Sequence, residues 1–280
     1  MSPSKETIQP DPLVGTELVR HWTSDTHLPL GRVVVIHGIG EHSGRYERVG
    51  TQLAAAGFET TAFDLIGHGA TGGRRVHVDN WADFLDQVER HVTSVMDHGD
   101  PVILMGHSMG GLIAAEYVLS DRPSPDLLVL CAPALSGGAG WQVKMAPFLS
   151  AVAPHVAVPS LIRGEQLSTD PAVGEAYFED PLVVTSATIR LGAEMFSAMQ
   201  RVRERAHSIE IPTLTLHGSD DTVVPCQTSA GIGISGDRIV YPGLRHELFN
   251  HPEGPRIVEE VVTWVRDHLD LDAAIDPDQT

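Results

Sequence analysis

The sequence predicts an α/β protein: a doubly wound, mostly parallel sheet interrupted by one long insertion. Three observations carry this expectation. Short apolar runs recur between segments of helical length. The runs are β-branched and continuous rather than alternating, as strands covered on both faces should be. The regular succession stops between residues 136 and 207 and then resumes. A chain of 280 residues is a length that one α/β domain can fill.

Taken in order, a polar leader, MSPSKETIQPDP, precedes ELVRHW and a Pro-containing turn, which suggest an antiparallel start. VVVI (33–36) opens the repeating pattern, followed by a helix near 45–56, ETTAF (59–63) and a helix near 81–96. VILM (102–105) leads into a helix near 109–119, and DLLVLC (126–131) follows. Beyond the interruption, PTLTLHG (212–218) and RIVYPG (238–243) restore the strand pattern. PRIVEEVVTWVRDHL (255–269) is an amphipathic closing helix with proline at its start. The acidic tail after Leu269 is expected to fray. The chain therefore divides into a first core segment, 1–135, an insertion, 136–207, and a second core segment, 208–280.

Composition removes several functional classes. The net charge is −18 with only 19 Lys and Arg, which argues against nucleic acid as a partner, because such contacts rest on clustered cations. The N-terminus lacks the basic start and apolar stretch of a secretory leader, and no apolar run approaches a membrane span, so a cytoplasmic protein is expected. Cys131 and Cys226 form no C-x-x-C pair and imply neither zinc nor a redox motif. Nothing in the pattern specifies an oligomer.

GRVVVIHGIGEHSGRY (31–46) raises a choice between cradling a phosphate and stabilising a transient charge. A dinucleotide site would use Asp64 as its ribose acid, but the glycine spacing departs from G-x-G-x-x-G. GHSMG settles the matter: Ser108 lies in G-x-S-x-G directly between an expected strand and an expected helix, the signature of a nucleophile elbow. LHGSDDTVVP then places Asp220 and Asp221 after one late strand, and YPGLRHELFN places His246 after the next. Ser, Asp, His is the chain order of the α/β-hydrolase fold. Serine becomes nucleophilic when a neutral imidazole takes its proton, and a carboxylate fixes the imidazole tautomer. In that fold the loop after the third strand faces the elbow. The backbone N–H groups of Ile39 and Met109 are thus expected to bind an oxyanion.

HGIGEHSGRY, FDLIGHGATGG, GHSMGG, STDPAVGEAYFEDPL, HGSDDTVVP and YPGLRHELFN together resemble the monoacylglycerol lipases and lysophospholipases, serine hydrolases sometimes grouped with serine aminopeptidases. The likeness covers most of residues 30–268. It implies that the insertion at 136–207 is a cap over the sheet, that the substrate is a small lipid ester with a single acyl chain, and that Asp221 rather than Asp220 completes a Ser108–His246–Asp221 triad. It also implies that no cofactor is needed.

Other residues admit plainer readings. His37, Glu41 and His42 are spaced one residue too long for an inverted zinc motif and sit on a glycine loop, so no metal is expected; His37 should brace the loop and Glu41 should pair with Arg45. His107 is simply the variable position of the elbow, and its ring could pack against the cap. Trp141, Met145, Phe148, Leu149, Val152, Val156 and Leu161 suit core, an acyl tunnel or a lid that touches membranes transiently. Met195, Phe196 and Met199 could line the same cavity. Three classes compete: an esterase on monoacylglycerols, another hydrolysis or perhydrolysis on the same triad, and a non-catalytic binding protein. The last would show a lost Ser or His, and neither is lost.

Overall fold

The computed structural model describes residues 4–26, 28–138 and 140–271. The chain opens with a hairpin, β1 (Lys5–Asp11) and β2 (Gly15–Trp22), and continues through β3 (Gly31–Ile36), α1 (Glu47–Ala55), β4 (Phe58–Phe63), α2 (Ala82–Met96), β5 (Val102–His107), α3 (Met109–Val118) and β6 (Leu127–Cys131). The intervening segment holds α4 (Gly140–Val152), β7 (Ala157–Pro159), α5 (Gly164–Leu167), α6 (Pro171–Glu179), β8 (Ser186–Thr188) and α7 (Ile189–Arg205). The chain closes with β9 (Thr213–Gly218), β10 (Asp237–Tyr241) and α8 (Gly254–His268).

Eight strands form one sheet in the order β1-β2-β4-β3-β5-β6-β9-β10. The β1–β2 and β2–β4 pairings are antiparallel and the others parallel. The part read as a polar leader supplies β1. An edge strand needs a partner on one side only, so it can remain polar and hold a proline, and KETIQPD does both. The expected fraying of the acidic tail concerns residues that, beyond Leu271, lie outside those described.

Side chains alternate between the two faces of the central strands. Val34, Ile36, Leu104, Leu128 and Leu130 pack with α2, α3 and α7, while Val33, Val35, Ile103, Met105 and Val129 pack with α1 and α8. Every residue of β5, β6 and β9 is buried, which explains runs without polar alternation.

Among the described residues, the segment between β6 and β9 contributes no strand to this sheet, and β7 and β8 pair with each other. Its helix α7 serves two neighbours, packing on α3 through Leu191, Ala198, Met199 and Val202 and also lying beside α4. No helix among the described residues is long and apolar enough to cross a membrane.

Candidate active site

Strand β5 delivers Ser108 at the point where the chain turns into α3. Its backbone is held at φ 53°, ψ −117°, outside the comfortable regions for an L-residue. Two flanking glycines make the turn possible. A Cβ on Gly106 would lie 2.3 Å from the Gly110 carbonyl oxygen, and one on Gly110 would lie 2.2 Å from that of Ile36. The strained residue is pinned on both sides: Ser108 N donates to Cys131 O at 3.0 Å, and its own carbonyl accepts from Ala134 N at 2.9 Å.

The two late strands supply the partners. Gly218 at the end of β9 packs so tightly on the following loop that a Cβ would lie 2.3 Å from Leu244 O. This contact brings the β10 loop over the β9 loop. His246 Nε2 lies 3.0 Å from Ser108 Oγ, and His246 Nδ1 lies 2.7 Å from Asp221 Oδ2. Asp221 Oδ1 accepts from Val223 N and Val224 N at 2.8 and 2.9 Å. Asp220 is exposed and takes the Ser219 hydroxyl at 2.7 Å. Of the two adjacent acids, Asp221 is the one brought to His246.

Burial alone would raise the Asp221 pKa, but hydrogen bonds from His217 and His246 hold the carboxyl below the usual carboxylate range. For His246 burial pulls the other way, and the bond and charge of Asp221 outweigh it, so that ring is more basic than an ordinary histidine.

The glycine loop after β3 crosses the nucleophile. A Cβ on Gly38 would lie 3.2 Å from Ser108 Cβ. Among the described residues, neither Ile39 N–H nor Met109 N–H, the first amide of α3, donates to a protein acceptor. Two unspent donors beside Ser108, one at a helix N-terminus, suit an anion that forms there.

That loop is fastened on every side. His37 donates from Nδ1 to Gly38 O at 2.8 Å, because its Nε2 accepts from Leu65 N at 2.9 Å; burial keeps its pKa low. Glu41 accepts from Tyr46 Oη at 2.9 Å and pairs with Arg45, which also binds Glu247 Oε1 at 2.8 Å. Burial would raise the Glu247 pKa, but Arg45 holds it at about 2. His42 accepts from Gly44 N and therefore donates from Nε2 to Asp180 at 2.8 Å. The side chains considered for a metal are thus occupied. Asp64, the candidate ribose acid, is spent on Ser43 N at 2.8 Å and Ala70 N at 2.7 Å.

The sequence did not point to Glu247 or His217 as parts of this assembly. Glu247 is next to His246, but its partner Arg45 is 202 residues away. His107, the variable position of the elbow, has its ring 4.8 Å from that of His246, with Nδ1 3.2 Å from Cys131 O.

Between α4, α7 and the β9 loop runs an open groove of about 850 Å³, whose walls include Leu135, Val143, Phe196, Met199 and Val223. One wall residue, Leu135, follows Ala134, whose N donates to Ser108 O at 2.9 Å, and another, Val223, lies on the acid loop two residues after Asp221.

The chain matches the family described as serine aminopeptidase, S33, over residues 28–253. It is 36% identical to a monoacylglycerol lipase of Mycolicibacterium smegmatis, an alignment covering 89% of this chain and 92% of that protein. It is 30% identical to a phospholipase of Bacillus subtilis over 83% and 93% of the two chains. Among solved structures it resembles the Paleococcus ferrophilus monoacylglycerol lipase, with a TM-score of 0.80, 29% identity, and coverage of 89% of this chain and 98% of that one. The mostly parallel sheet and this likeness identify an α/β-hydrolase fold.

Proposed function

From the premise that the chain belongs to the serine aminopeptidase S33 family of hydrolytic enzymes, we propose that it cleaves monoacylglycerols to fatty acid and glycerol, with Ser108 as nucleophile, His246 as base and acid, and Asp221 as the orienting carboxylate. The observation that carries this reading is the continuous line from Ser108 Oγ through His246 to Asp221 at a strained strand-to-helix turn.

Ser108 Oγ bonds to the acyl carbon as its proton passes to His246 Nε2. Ile39 N–H and Met109 N–H hold the oxyanion. The imidazolium then protonates the departing glycerol oxygen, leaving an acyl ester on Ser108. Water, deprotonated by His246, attacks that ester, and the same proton returns to Ser108 as the fatty acid leaves. Asp221 stays ionised throughout and stabilises the imidazolium.

Residues 136–207 act as the cap, between core segments 1–135 and 208–280. Their outward apolar residues favour single acyl chains and brief contact with lipid surfaces by a cytoplasmic enzyme. Both cysteines are buried and free, which suits a reducing compartment. Likeness to a phospholipase favours lysophospholipids as the alternative substrate class.

An active-site-directed fluorophosphonate should label Ser108 alone, and Ser108→Ala should lose labelling and ester hydrolysis together. Retained hydrolysis by that variant would end this reading. In a panel, monoacylglycerols should turn over much faster than triacylglycerols and lysophospholipids; the reverse order would transfer the assignment to the faster class.

A further inference from the structure

The triad acid has a second imidazole against it. His217, the penultimate residue of β9, is fully buried. Its Nε2 lies 3.1 Å from Asp221 Oδ2, the same oxygen that meets His246, and 3.0 Å from Val224 O. Its Nδ1 lies 2.8 Å from Ser229 Oγ. Both atoms facing Nε2 are acceptors, so Nε2 must carry a proton. Ser229 Oγ accepts from Arg238 Nε at 3.3 Å, and Arg238 Nη2 satisfies Cys226 O at 2.7 Å. The Ser229 hydroxyl also lies 2.9 Å from Cys226 O; because Arg238 already satisfies that carbonyl, the hydroxyl can turn to Nδ1, and a neutral ring protonated on Nε2 then satisfies every partner without adding a buried charge.

This accounting yields one directed chain. Arg238 donates to Ser229, Ser229 to His217, and His217 to Asp221; from the other side Ser108 donates to His246 and His246 to Asp221. All the hydrogens point toward a single carboxylate, and each bond polarises the next. The four bonds on Asp221 divide evenly: two backbone amides on Oδ1 and two imidazoles on Oδ2.

We propose that His217 is a positioning residue of the triad, which directs Asp221 Oδ2 at His246 and takes a share of its negative charge. The proposal rests on the assignment of Ser108, His246 and Asp221 above. It gives His217 two separable effects. One is geometric: the amides fix Oδ1 alone, leaving the carboxylate free to pivot about it, and the His217 bond stops that pivot. The other is electrostatic. Without the His217 N–H, more of the Asp221 charge falls on His246, so the imidazolium is favoured and a higher pH is needed to free the base. The other groups facing His246 are Glu247, Glu41 and His107, whose ring lies 4.8 Å away, and none of them bonds to His217.

The test compares His217→Leu with His217→Gln, because a glutamine amide can reach Asp221 with an N–H and accept from Ser229 with its oxygen. Leucine should lower kcat by about 10- to 100-fold, the effect of one hydrogen bond to a charged group. KM should change little, and the acid limb of the kcat/KM profile should move to higher pH; glutamine should restore both. Wild-type kcat with an unmoved acid limb in the leucine variant would overturn the proposal, as would a glutamine variant that folds but is as slow as leucine. Should leucine at this polar site fail to fold, ¹⁵N spectra of the unaltered enzyme decide: His217 must be protonated at Nε2 and bare at Nδ1, and the opposite tautomer removes the donor and the proposal with it. Asp221→Asn, measured alongside, separates the layers, since near wild-type activity there would refute the triad assignment itself.

Discussion

Strand β6 and helix α4 are both rich in apolar residues, and the molecule treats them in opposite ways. LLVLC of β6 is buried at every position. In GWQVKMAPFLSAV of α4 only Ala146 and Ser150 are buried, while Trp141 is 65% and Phe148 62% exposed. In the strand, apolar surface has been exchanged for stability and for a rigid support under Ser108. In the helix most of it stays outside, at a cost in solubility that a lipid-handling surface would justify. If that division holds, changes at the sheet's C-terminal edge should affect all esters alike, and changes on α4 should depend on how much hydrocarbon the substrate carries.

The sharpest test of the uniform half is the acid loop. Asp221→Asn should leave His246 in the wrong tautomer and reduce kcat by about 10⁴-fold on short and long acyl chains equally. Asp220→Asn, altering an exposed carboxylate bonded to Ser219, should stay near wild type. Rates in the opposite order would reassign the acid, and a loss at Asp221→Asn that varied with chain length would break the comparison.

A smaller uniform effect is expected at the glycine loop. Ile39→Pro deletes one backbone donor and should cost roughly 10²- to 10³-fold in kcat, while active-site labelling should slow in step because the phosphonate oxygen uses the same hole. Met109→Ala retains its N–H and should be mild in both assays. A proline variant with full activity would remove Ile39 from the oxyanion site.

The sheet was readable from the chain because its signals are local: continuous apolar runs, helix-length spacers, and glycines at 106 and 110 around Ser108. Those signals give VVVI, VILM and LLVLC their places in β3, β5 and β6. They also single out Ser108, His246 and the acid pair Asp220 and Asp221, of which the family resemblance picks Asp221; Ser108, His246 and Asp221 lie within hydrogen-bond reach in the folded chain. What escaped depends on contacts that the chain order hides. β1 is polar because an edge strand needs no second partner. Glu247 acquires meaning only through Arg45, brought close by packing of the β3 and β10 loops. His217 reads as an ordinary strand residue, since nothing local tells a core histidine from one that touches Asp221. Asp220 and Asp221 are chemically identical neighbours that the local residues leave open; the resemblance picks Asp221, and it is the Asp221 side chain that reaches His246.

The smallest effect tests the helix half of the comparison directly. Phe148→Asp replaces an exposed ring with a charge that hydrocarbon would have to desolvate, whereas Leu130→Ala empties a fully buried site in β6. The core change should cost about 2–5 kcal/mol of unfolding free energy, read from urea denaturation, while the dependence of kcat/KM on acyl length stays the same. The helix change should do the reverse. Its urea midpoint should remain near wild type, because the ring contributes little burial, and butyryl esters should react normally. Long-chain monoacylglycerols should slow by roughly tenfold, since each methylene transferred from water contributes only about 0.8 kcal/mol and a long chain has several to lose. If Phe148→Asp instead lowered the unfolding midpoint and slowed short and long esters equally, its ring would be supporting the fold. The contrast between β6 and α4 would then be one of exposure alone, with no division of labour behind it.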